Sequence, residues 1–161
     1  MDILADPGPQ VSGLPLHPLI VHAVVVLVPL TALALLLSTF WPAARRRLGV
    51  VTPLAALVAL ILVPITVWAG EALAAQVGPI PAVQTHEGWG RMLLPWVMWM
   101  FVVALGQWIW YRWGVPRVRE RSRTATRVMA VVWAALAVVT AGGALVIVIL
   151  TGESGARAVW G

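Results

Sequence analysis

Residues 19–41 read LIVHAVVVLVPLTALALLLSTFW, 23 residues in which His22 is the sole ionisable side chain. A helix rises about 1.5 Å per residue, so roughly 20 apolar residues cross the hydrocarbon core of a bilayer. This stretch is apolar on every face. A helix surrounded by lipid needs that, because its backbone must satisfy its own hydrogen bonds. Residues 50–69 and 92–111, 20 each, and 128–150, 23 residues, meet the same test and carry no charge. The chain is therefore expected to be all-α, an integral membrane four-helix bundle forming a single transmembrane domain over residues 1–161.

Composition points the same way. Of 161 residues, 61% are hydrophobic and 11% charged, and the mean hydropathy is +0.92. Soluble domains are nearer 45–50% apolar and about 25% charged, so this chain has too little polar surface to face water. Cysteine is absent, which excludes disulfides, thiolate metal sites, iron–sulfur clusters and thiol nucleophiles. No phosphate loop, dinucleotide fingerprint, serine elbow or His-Glu-x-x-His motif is present. An enzyme of soluble type finds no support.

The segment ahead of the first span is not a cleavable signal peptide. It has no basic start, carries Asp2 and Asp6, and is interrupted by Pro7, Gly8, Pro9, Gly13 and Pro15. It reads as a short exposed tail, with Pro18 at the first helical position.

The formal charge is +5, from eleven Arg, no Lys and six acids. On a soluble protein this would suggest nucleic acid, but the position of the arginines gives another meaning. Arg45, Arg46 and Arg47 fill the first link. Arg112, Arg117, Arg119, Arg121, Arg123 and Arg127 fill or border the third, and only Arg91 and Arg157 lie on the other side. Basic residues stay cytoplasmic, so both termini and the second link are expected to face outward. With Glu120 the inner side sums to +8. Asp2, Asp6, Glu71, Glu87 and Glu153 against two Arg leave the outer side at −3. The basicity is a topology signal. The chain is expected to be a multi-pass membrane protein, with the lipid bilayer as its partner and no nucleic acid. Residues 114–124 read as a basic cytoplasmic loop.

Tryptophans fit this map. Trp41, Trp108, Trp110 and Trp113 collect at the inner ends, and Trp68, Trp89 and Trp160 at the outer ends, as interfacial anchors do. Trp96, Trp99 and Trp133 lie deeper and read as packing residues. No internal repeat is defensible from the sequence.

All three histidines and five of the six acids fall on the outward side. His17 and His22 open span one, Glu71 closes span two, His86 and Glu87 precede span three, and Glu153 and Arg157 follow span four. Imidazole and carboxylate together suit a divalent metal ion, and two histidines from different helices suit haem b. His22 and His86 are the leading cofactor-binding candidates. His17, His22, Glu71, His86 and Glu153 form the wider metal-ligand set. An ionisable group inside a span points to function, which favours His22; His17 reads better as a turn or cap residue, about 140° from His22 around an ideal helix. Glu71, Glu87 and Glu153 also fit solvated helix ends, with Glu87–Arg91 and Glu153–Arg157 as i,i+4 pairs and Thr85 capping the helix before Glu87.

Pro29, Pro64 and Pro95 each lie seven to nine residues from His22, Glu71 and His86. Kinks at that depth would splay the outer halves and open a cavity; equally, proline is simply commoner in transmembrane helices, and that plainer reading is slightly favoured. Ala130, Ala134, Ala137, Ala141, Gly142 and Gly143 give span four a small-residue face for close helix packing.

The opening from Gly13 to His22 resembles that of a bacterial membrane family known as domain of unknown function 2231. So do Trp68-Ala69-Gly70-Glu71, His86, and the ending from Thr151 to Arg157. The resemblance covers nearly the whole chain, and its most specific part is the two-His opening with the Gly-x-x-Gly ending. It implies about four spans and redox company, since members are sometimes joined to Rieske-type iron–sulfur domains. Members commonly end in Gly-His where this chain has Gly152-Glu153, so a haem ligand at that point would be missing, while a carboxylate still suits a metal ion. The Arg-rich, Lys-free composition resembles that of an actinobacterial protein.

Three functions fit these readings. The first is a membrane protein whose outward His/Glu cluster binds a metal ion or haem, linked to electron transfer. The second is a non-catalytic accessory subunit of a homo-oligomer or larger membrane complex, and the third, with least support, a small transporter. No catalytic residue set is present.

Overall fold

A computed structural model describes residues 9–161; Asp2, Asp6, Pro7 and Gly8, part of the expected tail, lie outside the described residues. Gln10–Val11 (β1) and Leu14–Pro15 (β2) pair antiparallel, with Ser12 and Gly13 at positive φ in the turn. The amide of Leu16 closes the hairpin on the Pro9 carbonyl at 2.9 Å. Helix α1 (Leu16–Phe40) then starts directly. It begins two residues earlier than Pro18, which sits in the first turn where its missing N–H has no intrahelical acceptor to lose.

A short helix α2 (Pro42–Leu48) leads through Gly49 into α3 (Val51–Val77), which ends at Gly78. Both glycines adopt positive φ, 46° and 83°, where a side chain would strain the backbone. Helix α4 (Pro81–Ile109) continues through a π-helical turn, Trp110–Gly114, into α5 (Val115–Arg121). Only Ser122 separates α5 from α6 (Arg123–Trp160), and its hydroxyl caps α6 by accepting from the Ala125 amide at 3.1 Å. Residues 114–124, expected as a loop, are therefore almost wholly helical. Arginine is a good helix former, so a basic composition does not by itself break a helix.

Helices α1, α3, α4 and α6 are each long and apolar enough to cross a membrane. They extend past the expected spans because their ends carry polar turns that an apolar-run criterion leaves out. Each is packed on its neighbours in the order α1, α3, α4, α6, and α6 closes back on α1. Inward positions recur at helical spacing: Val24, Val28 and Leu35 on α1; Ala56, Ala59 and Val63 on α3; Leu93, Val97 and Met100 on α4; Ala137, Ala141 and Ala144 on α6. Larger side chains predominate on α1 and α4 and alanines on α3 and α6, although Ala32, Val63, Ala104, Ile147 and Val148 are buried as well. The outward stripes, such as Val26, Leu30 and Leu33, are exposed and equally apolar, as lipid requires.

Trp96 and Trp133 are packing residues, as expected. They lie over Gly143 and Gly106, where an added Cβ would stand 2.0 Å and 2.5 Å from ring carbons. Trp99 does not follow: it is exposed on the outside of α4. At one end of the bundle Gln107 donates to the Thr39 hydroxyl at 2.9 Å and faces the Trp133 carbonyl at 3.4 Å. This ties α1, α4 and α6 together through polar side chains.

Candidate functional site

At the opposite end from the arginine links, all three histidines line one cavity of about 570 Å³ with mostly apolar walls. Two of them are placed by the same device. His17, half-buried on α1, donates from Nδ1 to the carbonyl of Thr66 on α3 at 2.9 Å. His86, half-buried on α4, donates from Nδ1 to the carbonyl of Thr151 on α6 at 3.0 Å. Each threonine hydroxyl turns back to its own helix, onto Leu62 and Ile147 respectively, both at 2.8 Å.

Four residues after each threonine stands a glycine, Gly70 and Gly155. In a helix the side chain at i+4 overhangs the carbonyl at i, so glycine there uncovers that carbonyl to a neighbouring helix. The imidazoles fill the space left. A Cβ at Gly70 would lie 2.9 Å from Cε1 and Nδ1 of His17, and one at Gly155 would lie 3.0 Å from Cε1 of His86. The pattern Thr-x-x-x-Gly thus occurs twice, once per half of the bundle, as a repeat of geometry on otherwise different sequence.

A carbonyl can only accept, so each Nδ1 carries the proton. Nε2 is thus the ring nitrogen left for a ligand, the arrangement in which histidine commonly ligates a metal. The two rings approach with centroids 5.9 Å apart and planes at 84°. His86 also lies 3.4 Å from the Ser154 hydroxyl, which itself donates to Thr151 O at 3.0 Å.

The remaining expected site residues fall elsewhere. His22 is exposed at the cavity rim, its Nδ1 2.5 Å from the Pro18 carbonyl of its own helix. The ring contact of His86 is with His17. Glu71 is at the rim, paired with Arg91 across the α3–α4 boundary at 2.9 Å. Arg91 therefore bonds Glu71 and not Glu87, as the i,i+4 spacing had suggested. Glu153 pairs with Arg157 at 2.5 Å on the exposed face of α6, as expected. Thr85 is not a cap: α4 starts at Pro81, and the Thr85 hydroxyl donates back to the Pro81 carbonyl. Among the described residues no group of three or more His, Asp or Glu side chains converges as a metal-binding set. Of the five residues expected as ligands, His17 and His86 meet, His22 and Glu71 stand at the cavity rim, and Glu153 lies outside it.

These features define a class: a multi-pass helical membrane protein with a histidine pair clamped between helices at one end. Residues 13–161 match the family described as "Predicted membrane protein (DUF2231)", and the chain belongs to that family. No curated protein and no solved structure matches the chain.

Proposed function

We propose that this protein binds haem b between His17 and His86 and acts as a one-electron carrier in the membrane. The observation that supports it is the pair of imidazoles, each held by a backbone carbonyl, with ring centroids 5.9 Å apart. With metal–nitrogen bonds of roughly 2.0–2.1 Å, one ion between two imidazoles sets their centroids about 6 Å apart.

Haem is favoured over a bare ion because it brings its own four equatorial nitrogens. Two histidines then suffice, and among the described residues no third His, Asp or Glu joins them as a ligand set. The apolar cavity suits a macrocycle, and Arg91 on its rim suits a propionate. A haem held by both histidines would supply electron transfer rather than oxygen activation. The arginine distribution supports a histidine end facing outward.

The test is an absorbance spectrum and elemental analysis of the purified full chain, produced with ample haem. One haem per chain is expected, lost in both His17→Ala and His86→Ala and retained in His22→Ala. A stoichiometric metal without porphyrin, or haem retained in His17→Ala and His86→Ala, overturns the reading.

A further inference from the structure

At the other end of the bundle a second cavity, about 370 Å³, lies between α1, α2, α3 and the end of α4. Arg45, Arg46 and Arg112 line it together with Thr52, Gln107 and Trp108, and no Asp or Glu does. Arg45 is committed to the fold. It donates to the Ser38 and Thr39 carbonyls at 2.6 and 2.5 Å, and its guanidinium stacks 3.5 Å from the centre of the Tyr111 ring.

Arg46 and Arg112 differ. Both are exposed at the cavity, and neither has a hydrogen bond or ion pair among the described residues. Helix α3 starts beside them with no side-chain cap and no acid in its first turn. Its free amides and the positive end of its dipole add to the same field. Two uncommitted guanidinium groups beside the Arg45 charge, with an uncapped helix start and no carboxylate among the lining residues, make a receptor for a multiply accepting anion. Arginine's planar fork matches phosphate oxygens in particular.

The cavity also stands at the right depth for one source of phosphate. Trp108 and Tyr111 line it, and Trp113, 43% exposed, lies 6.0 Å from the Arg112 guanidinium, as aromatic residues do at headgroup level. We propose that this cavity binds the phosphate of an anionic phospholipid headgroup, gripped by Arg46 and Arg112 against the Arg45–Tyr111 platform.

The test uses the full chain in nanodiscs of phosphatidylcholine alone or with phosphatidylglycerol, read by native mass spectrometry and thermal melting. Phosphatidylglycerol should remain bound at one copy per chain and raise the melting temperature. Arg46→Gln combined with Arg112→Gln should weaken retention on the order of tenfold or more, two surface arginines being removed. Its melting temperature in phosphatidylcholine should be unchanged, which separates lost binding from lost folding. The control Arg119→Gln with Arg121→Gln removes equal charge outside the cavity and should retain the lipid. Equal losses in both double variants would reduce the effect to general surface charge and overturn the site. An equal melting shift from inorganic phosphate in phosphatidylcholine discs would assign the cavity to a soluble phosphate and overturn the lipid.

Discussion

The half of the bundle made by α1 and α3 and the half made by α4 and α6 hold their histidines alike but pack differently. In both, a histidine reaches a threonine carbonyl that glycine has uncovered one turn on. The second half adds two tryptophans seated on glycines, Trp96 on Gly143 and Trp133 on Gly106, and the first half has no counterpart. The site therefore does not depend on how tightly its helix pair is locked lower down. What the halves share is the local device, and what they differ in is the anchoring below it.

The sharpest way to separate anchoring from site is at two adjacent glycines. A Cβ at Gly143 would lie 2.0 Å from Trp96 and forces that ring out, whereas Gly142 has open space around it. Gly143→Ala should destabilise the protein by about 1–3 kcal/mol through overpacking. Gly142→Ala should be neutral or stabilising by up to about 1 kcal/mol from helix propensity. Reversible unfolding in mixed micelles reads both. Similar values for the two would mean that Trp96 does not lock the second half.

Next in size is the device itself. Gly70→Ala and Gly155→Ala each place a methyl group against an imidazole, at 2.9 and 3.0 Å. Each should push its ring off the threonine carbonyl at a cost of about 1–2 kcal/mol, combining tight packing with a lost hydrogen bond. Both should also broaden or abolish the haem spectrum to the same degree. If Gly70→Ala alone did so, the two halves would not be equivalent in holding the ligand.

How far the sequence reveals this follows from the solvent. Four spans and the gathering of histidines at one end are legible, because bilayer thickness and charge asymmetry act on composition alone. Which histidine faces inward is not. In water the apolar stripe of a helix marks its buried face; here Val26 and Leu30 face outward and Val24 and Val28 inward, all of them apolar. Without that contrast His22 reads as the intramembrane residue and His17 as a turn, and the helix faces reverse them. The Thr-x-x-x-Gly pairs at Thr66 and Thr151 are visible as letters. Their meaning depends on the neighbouring helix, which the letters do not supply.

A smaller difference between the halves lies at Ser154. Its hydroxyl sits 3.4 Å from His86 Nδ1 and donates to the same Thr151 carbonyl; beside His17 the first half offers only the Thr66 carbonyl. Ser154→Ala should cost about 0.5–1.5 kcal/mol, a single neutral hydrogen bond, and leave haem content unchanged. Loss of haem in this variant would show that His86 relies on the serine rather than on the uncovered carbonyl.

The smallest expected effect is at the rim. Arg91 on α4 and Glu71 on α3 join the two halves through a 2.9 Å contact, yet their side chains are 59% and 43% exposed. Such a pair is screened by solvent and constrains two flexible chains, so it contributes no more than about 1 kcal/mol. Glu71→Gln should move unfolding by less than that, and the change should shrink further in high salt. Arg91→Gln tests something else at the same contact. If Arg91 serves a bound propionate as well as Glu71, its loss should weaken haem retention while Glu71→Gln does not. Equal behaviour of the two variants in a haem-transfer assay would leave the rim as a plain ion pair, with the histidine device alone holding the ligand.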